Sequence, residues 1–324
     1  MWPQAQQVLG AKQISKPRCS VVPWDEKLQK RVRSMWHDGR LLFGSYDAYG
    51  LMTGSFGEGD DITANAVVRS VQRVAKERPS WDADNATLRA WAGELCPGLG
   101  PELLAGNGHD LPADVAIERV RNFSVVFREH FPYYHRACDA CGKEGEFTGL
   151  VQPAEEERKK VAAVKEIYFC SACNKITLFP RFRSLVPILE RRRGRCGEYT
   201  QLMMEVLRSL GLPTRMVDDH TGHIWVEWQV AGSRWVHFDP CEAAVDEPYM
   251  YARSWGRTPK HVFTYQPSCS LAKTVAEGAW QLGSVSVVDV TAKYRPPEAE
   301  PLPAEVQQAI GDAVAGAKEL LKEK

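Results

Sequence analysis

The chain has 324 residues, 44% hydrophobic and 25% charged, which is enough for one large core or two modest domains. Lysine plus arginine and aspartate plus glutamate balance at 41 each, so no global field recruits nucleic acid or an anionic membrane surface. Residues 1–17 contain no apolar stretch of a secretory signal and no membrane span, which sets the expected compartment as the cytoplasm, with nuclear access.

Nine cysteines are an odd number, and four of them fall in two Cys-x-x-Cys pairs. A chain of this size is no disulfide scaffold, so reduced thiols are expected. Cys19, Cys96 and Cys269 have no suggestive neighbours. The sequons at Asn85-Ala86-Thr87 and Asn122-Phe123-Ser124 are then chance matches.

In chain order, residues 25–37 read as a helix with Leu28, Val32, Met35 and Trp36 on one side. A Gly-, Ser- and Tyr-rich loop follows from Gly39 to Gly59. Ile62, Val67, Val71 and Val74 carry a second helical period, and Ile117, Val120, Phe123 and Phe127 a third. The stretch from Trp81 to Leu103, bracketed by Pro and Gly, reads as irregular. Residues 1–110 are thus expected to form a mostly helical N-terminal region.

Cys138-x-x-Cys141 and Cys170-x-x-Cys173 flank a charged segment. Two such pairs supply four thiolates for one tetrahedral ion with no open position, so a structural zinc is expected, one per chain; the bland alternative is a set of inert thiols. Arg181, Arg183, Arg191, Arg192, Arg193 and Arg195 form a basic cluster that reads as a solvated face rather than a nucleic-acid contact.

Gly194-Arg195-Cys196-Gly197-Glu198 then opens the most informative stretch. Tyr199, Leu202, Met203, Val206, Leu207 and Leu210 recur at three- and four-residue steps, the period of a buried helix face. Gly211 and Pro213 end it. Cys196 therefore sits in the first helical turn, where unpaired N–H groups and the dipole favour a thiolate and can stabilise an oxyanion.

After the helix the period becomes two. Ile224, Val226 and Trp228 alternate with polar positions, as do Val236 and Phe238 beyond Ala231-Gly232-Ser233, which predicts an antiparallel hairpin. A turn centred near Gly232 puts His223 and Asp239 on one face as direct or diagonal neighbours. The imidazole can then take the Cys196 proton while the carboxylate sets its tautomer. Each residue alone is more often structural; their joint placement at a helix start and on two adjacent strands favours a catalytic triad.

Past Val290 a proline-rich linker leads into a terminal helix. Its stripe is Val306, Ala309, Ile310, Ala313, Val314, Ala317 and Leu321. Gly311 and Gly316 inside it cost roughly 1 kcal/mol each relative to Ala, so the helix needs a docking surface, its own core or another protein.

Gly-Arg-Cys-Gly-Glu at 194–198, His223-Ile224-Trp225-Val226-Glu227, Arg234-Trp235-Val236-His237 and Asp239-Pro240-Cys241-Glu242 resemble the core of the cytoplasmic peptide:N-glycanases, of the transglutaminase-like superfamily. The resemblance extends to Asp246-Glu247-Pro248-Tyr249-Met250-Tyr251 and Trp255-Gly256, and upstream to the cysteine pairs, covering roughly residues 120–265. It departs where Gly222 replaces the acidic residue that usually precedes the family's histidine, which implies a different loop shape.

The resemblance implies an α+β fold with a transglutaminase-like, papain-like cysteine core. A catalytic helix would pack on an antiparallel sheet, with a four-cysteine, zinc-ribbon-like insertion over 135–180 and helical termini. The catalytic core is expected over 111–290, and linker plus helix over 291–324. It implies an amidase that attacks the side-chain amide of glycosylated asparagine through Cys196, His223 and Asp239. Its substrates would be denatured N-glycoproteins and glycopeptides in ER-associated degradation, and its partner a ubiquitin-receptor shuttle adaptor of the proteasome. Trp225 and Trp235, on the His223 face, and Glu242 are the expected glycan contacts. The alternatives are another acyl-transfer enzyme, such as a transglutaminase or cysteine protease, or a non-catalytic adaptor of the same fold.

Overall fold

The computed structural model describes residues 62–76, 84–230, 232, 234–267 and 279–322. The expected helix over 25–37 and loop over 39–59 lie outside the described residues, as do Cys19, Trp81 and Cys269. The chain divides into two compact units, one containing Tyr134–Ser184 and the other residues 57–133 with 185–324.

In the first unit, strands β1 (Glu146–Val151), β2 (Ala162–Cys170) and β3 (Lys175–Phe182) form an antiparallel sheet in that order. One apolar cluster of this unit gathers Tyr134, Tyr168 and Phe179, with Ala137 and Phe147 against them, and Leu150, Val164, Ile167 and Phe182 are buried besides. Tyr134 stacks on Phe179 at 3.9 Å between centroids. The charged run after β1 forms a short helix, Glu155–Lys159. Of the basic cluster, Arg181 lies 2.8 Å from the buried Glu166 carboxylate, so it is not a solvated charge.

The second unit contains helices α1 (Ala64–Lys76), α2 (Asn85–Leu95), α3 (Ala113–His130), α4 (Leu185–Arg191), α5 (Cys196–Ser209), α6 (Met250–Ser254), α7 (Thr291–Tyr294) and α8 (Ala304–Lys322), besides a five-residue helix at Gly100–Leu104 and short 3-10 turns. Its strands are β4 (Thr214–Asp218), β5 (Ile224–Val230), β6 (Arg234–Asp239), β7 (Ala244–Val245), β8 (Phe263–Pro267), β9 (Trp280–Leu282) and β10 (Val285–Asp289). They pair antiparallel in the order β7-β6-β5-β4-β8-β10-β9. The unit is α+β, with α5 packed on β4 and β5.

The end of α5 is read directly from its sequence. Gly211 takes φ +83°, its N–H donates to Arg208 O, and the Leu212 N–H donates to Leu207 O, both at 3.0 Å. This crossed pair satisfies the last carbonyls and turns the chain into β4. The β5–β6 hairpin also follows the expected register: Val226 faces Phe238 and Gln229 faces Trp235 across the turn at Gly232.

One expectation is corrected, and one open alternative is resolved. The stretch Trp81–Leu103 is not irregular where described: Asp84 accepts the Thr87 N–H at 2.8 Å and starts α2, with Leu88 and Ala92 buried. Two buried positions are too few to announce a helical period. The terminal helix finds its docking surface in its own chain. Ile310, Ala313, Val314 and Ala317 are buried, and α8 runs so close to α1 that a Cβ on Gly316 would sit 2.9 Å from Ala64 Cβ. Gly316 is thus a close-contact residue.

Candidate active site

Cys196 occupies the first position of α5 and is partly exposed, while the rest of the helix is buried. The glycine before it is a packing requirement. Tyr199 folds back so that its hydroxyl accepts the Gly194 N–H at 2.7 Å and donates to Pro132 O at 2.7 Å. A Cβ on Gly194 would meet Tyr199 Cε1 at 2.8 Å. Glu198 accepts the Arg195 N–H at 3.1 Å, closing the first turn. The helix start therefore presents Cys196 among N–H groups that have no acceptor within the helix.

His223 is delivered by a tight loop between β4 and β5. Asp219, itself buried, accepts the N–H groups of Thr221 at 2.9 Å and His223 at 3.0 Å through Oδ1, and pairs with Arg257 through Oδ2. Gly222 sits in this loop at φ +109°, a conformation that suits glycine, which accounts for the departure at that position. The signal for Asp219 was present in the sequence as an aspartate four residues before the histidine.

The hairpin register makes His223 and Asp239 diagonal neighbours, and His223 Nε2 donates to Asp239 Oδ2 at 2.6 Å. Asp239 also accepts the Cys241 N–H at Oδ1, 2.8 Å, and the Tyr251 hydroxyl at Oδ2, 3.0 Å. The Cys196 side chain hydrogen-bonds the imidazole; with Nε2 committed to Asp239, Nδ1 is the nitrogen left to serve it. Burial alone would hold His223 neutral, but the Asp239 carboxylate and Cys196 outweigh it and raise the imidazole well above its ordinary value. Burial likewise opposes ionisation of Asp239, yet His223 and its hydrogen bond hold the carboxyl below the usual range. The arrangement can keep an imidazolium between a thiolate and a carboxylate, the resting form of a nucleophilic cysteine.

The expected glycan contacts fare differently. Trp225 shares the His223 face as anticipated, but it is fully buried and cannot offer a ring face to a sugar. Its Nε1–H donates to Tyr294 at 2.9 Å, and Tyr251 packs on it at 4.6 Å. Alternation shows which face a residue shares; it does not show that α6 and α7 cover that face. Trp235 is half-buried, with the Arg215 guanidinium 4.1 Å above its ring. Glu242 is exposed just beyond Asp239.

Among the described residues, the aromatic ring left in the open is Trp255, 39% exposed, edge-on to His223 with centroids 4.9 Å apart. Its place on a short turn gave no periodic signal. Arg257 pairs with Asp219 and lies 5.5 Å over the Trp255 ring, so one guanidinium joins the histidine loop to this tryptophan.

In the first unit, Cys138, Cys141, Cys170 and Cys173 bring their sulfurs within 4.8 Å of one another and could hold a metal ion. Cys138 and Cys173 approach to 3.5 Å and Cys141 and Cys170 to 3.6 Å. Sulfurs at about 2.3 Å from a tetrahedral zinc stand about 3.8 Å apart, so the spacing fits. The Ala140 N–H, first of all, draws the Cys138 thiol down to about 6, whereas desolvation and the neighbouring sulfurs push Cys173 up to about 12. Four sulfurs this close resist full ionisation until a cation joins them.

Residues 147–240 match the transglutaminase-like superfamily. Over 161 residues the chain is 33% identical to the peptide-N(4)-(N-acetyl-beta-glucosaminyl)asparagine amidase of Candida glabrata, covering 48% of this chain and 41% of that one. It is 35% identical to the Caenorhabditis elegans protein of the same name over 170 residues, 51% of this chain and 25% of that one. With the Oryza sativa protein of that name it shares 36% identity over 133 residues, 40% and 30% of the two chains. The chain thus spans less than half the length of these relatives.

Proposed function

We propose that this chain is a deglycosylating amidase that hydrolyses the bond between an asparagine side chain and its N-linked glycan. The observation that carries the proposal is the Cys196–His223–Asp239 cluster, set at a helix start in a transglutaminase-like domain similar to three amidases of that name.

In this reading the Cys196 thiolate attacks the side-chain amide carbon, and α5 N–H groups receive the oxyanion. The His223 imidazolium protonates the leaving glycosylamine, then as imidazole takes a proton from water, which resolves the thioester and leaves aspartate in the peptide. Asp239 keeps the proton on Nε2, so Nδ1 faces the chemistry throughout. Trp255, with Glu242 and the uncovered side of Trp235, forms the bed for the glycopeptide.

The four cysteines would hold one structural zinc ion, which cross-links the two segments that carry the Cys-x-x-Cys pairs. Denatured N-glycoproteins in the cytoplasm, bound for degradation, would be the substrates that the resemblance implies. Among the described residues no helix is long and apolar enough to cross a membrane. The shuttle adaptor implied by the resemblance would have to use a surface other than the α8 stripe, which α1 covers.

The test is a gel-shift assay on a denatured high-mannose glycoprotein. The wild-type chain removes the glycan and Cys196→Ala does not; activity retained by Cys196→Ala would overturn the proposal. A glutamine-acceptor assay separates this activity from transglutamination.

A further inference from the structure

Behind Asp239 lies a chain of hydrogen bonds whose direction is fixed. The Glu247 N–H donates to His237 Nδ1 at 3.4 Å, so that nitrogen is an acceptor and the ring proton belongs on Nε2. His237 Nε2 is 3.0 Å from the Tyr251 hydroxyl, and it donates there. The one phenolic proton is then free to point only at Asp239 Oδ2, 3.0 Å away, the same oxygen that receives His223. His237, Tyr251 and Asp239 are all fully buried, so water does not compete for these bonds.

We infer that Tyr251 is a positioning residue for the Cys196 reaction, its hydroxyl aimed by the Nε2–H tautomer of His237 so that the Asp239 carboxylate stays in the plane that serves His223. The inference rests on the triad reading proposed above. Without the phenol, Oδ2 keeps only the imidazole, and the carboxylate is fixed by that bond and the Cys241 N–H alone.

The electrostatics agree. Burial, followed by the nearby Asp239 carboxylate, raises the Tyr251 phenol well above its ordinary value, so it remains a donor. Burial pulls His237 down to about 4, against the pull of Asp239 and Glu227, so it stays neutral and holds one tautomer. The titratable groups around Asp239 are His223 from the β4–β5 loop, His237 of β6, Tyr251 of α6 and Cys241, with Cys196 beyond the imidazole and Asp219 facing Tyr251. Glu227, Lys293 and Tyr294 lie behind His237.

Two measurements test this on the full chain. Histidine-labelled nitrogen NMR of the unmodified protein should find the His237 proton on Nε2 and unchanged between about pH 6 and 8; a proton on Nδ1 would overturn the inference. The second is the pH dependence of iodoacetamide alkylation at Cys196, read by mass spectrometry, which needs no glycan. Tyr251→Phe should move the alkaline limb, where imidazolium is lost, down by about half a pH unit or more. His237→Leu should move it the same way, and the double variant should be no worse than Tyr251→Phe alone. An alkaline limb that stays in place or moves up in Tyr251→Phe would overturn the inference. If these shifts occur but the wild-type chain removes no glycan, the amidase reading fails and the positioning role stands.

Discussion

Tyr199 and Gly194 are locked together: the tyrosine hydroxyl accepts the glycine N–H at 2.7 Å while its ring leaves no room for a methyl on the glycine. This contact sets the chain path two residues before Cys196. Gly194→Ala is expected to cost about 1–3 kcal/mol by overpacking. A urea midpoint checks the stability, and slower Cys196 alkylation checks the displaced thiol.

Glu227, like Asp239, is a fully buried anion of the sheet. Arg215 Nε at 2.7 Å, Lys293 Nζ at 2.6 Å and the Tyr294 hydroxyl at 2.7 Å satisfy it. Burial would raise its carboxyl, but Arg215 and Lys293 overrule that and hold it at about 2. Arg215→Met is expected to destabilise by roughly 3–5 kcal/mol, because it leaves buried charge uncompensated. It also uncovers the Trp235 ring. Thermal unfolding that matches wild type would show that the pair contributes nothing.

His237 gives the fold an acid limit. Its pKa is depressed to about 4 from an ordinary 6.5, so the unfolded chain binds the extra proton between those values. Its contribution is therefore complete above about pH 6.5 and is lost as pH falls toward 4, on the order of 3 kcal/mol in all. Unfolding free energies across that window should fall for wild type, and His237→Leu should flatten the slope.

The helix that carries Cys196, its glycine stop and the hairpin that aligns His223 with Asp239 were legible because each rests on local signals: a 3.6 period, a positive-φ glycine, a period of two around a turn. What was not legible depends on distant segments. Alternation put Trp225 on the histidine face, but only Tyr251 and Tyr294, from later in the chain, decide that the face is covered. The α8 stripe announced that it needed a surface without showing that Ala64 of α1 supplies it. Strands β8 and β10 extend the sheet beyond β4, yet Phe263-Thr264-Tyr265 and Val285-Ser286-Val287 are too short to stand out.

The four-cysteine cluster predicts metal content. Purified protein should carry about one zinc per chain, and Cys138→Ser or Cys170→Ser should lower the melting temperature and release the metal. Fully folded, metal-free protein with four reduced thiols would contradict the assignment.

The central claim is that the Cys196 thiolate attacks the asparagine carbonyl carbon, and the most direct measurement is the mass of the peptide left after glycan loss. Hydrolysis through a thioester leaves aspartate, so the residue should gain about one mass unit over asparagine, or about three in water labelled with oxygen-18. A peptide that keeps one sugar on asparagine would mean that the bond cut is glycosidic, a reaction for paired carboxylates, and would contradict Cys196 as the nucleophile.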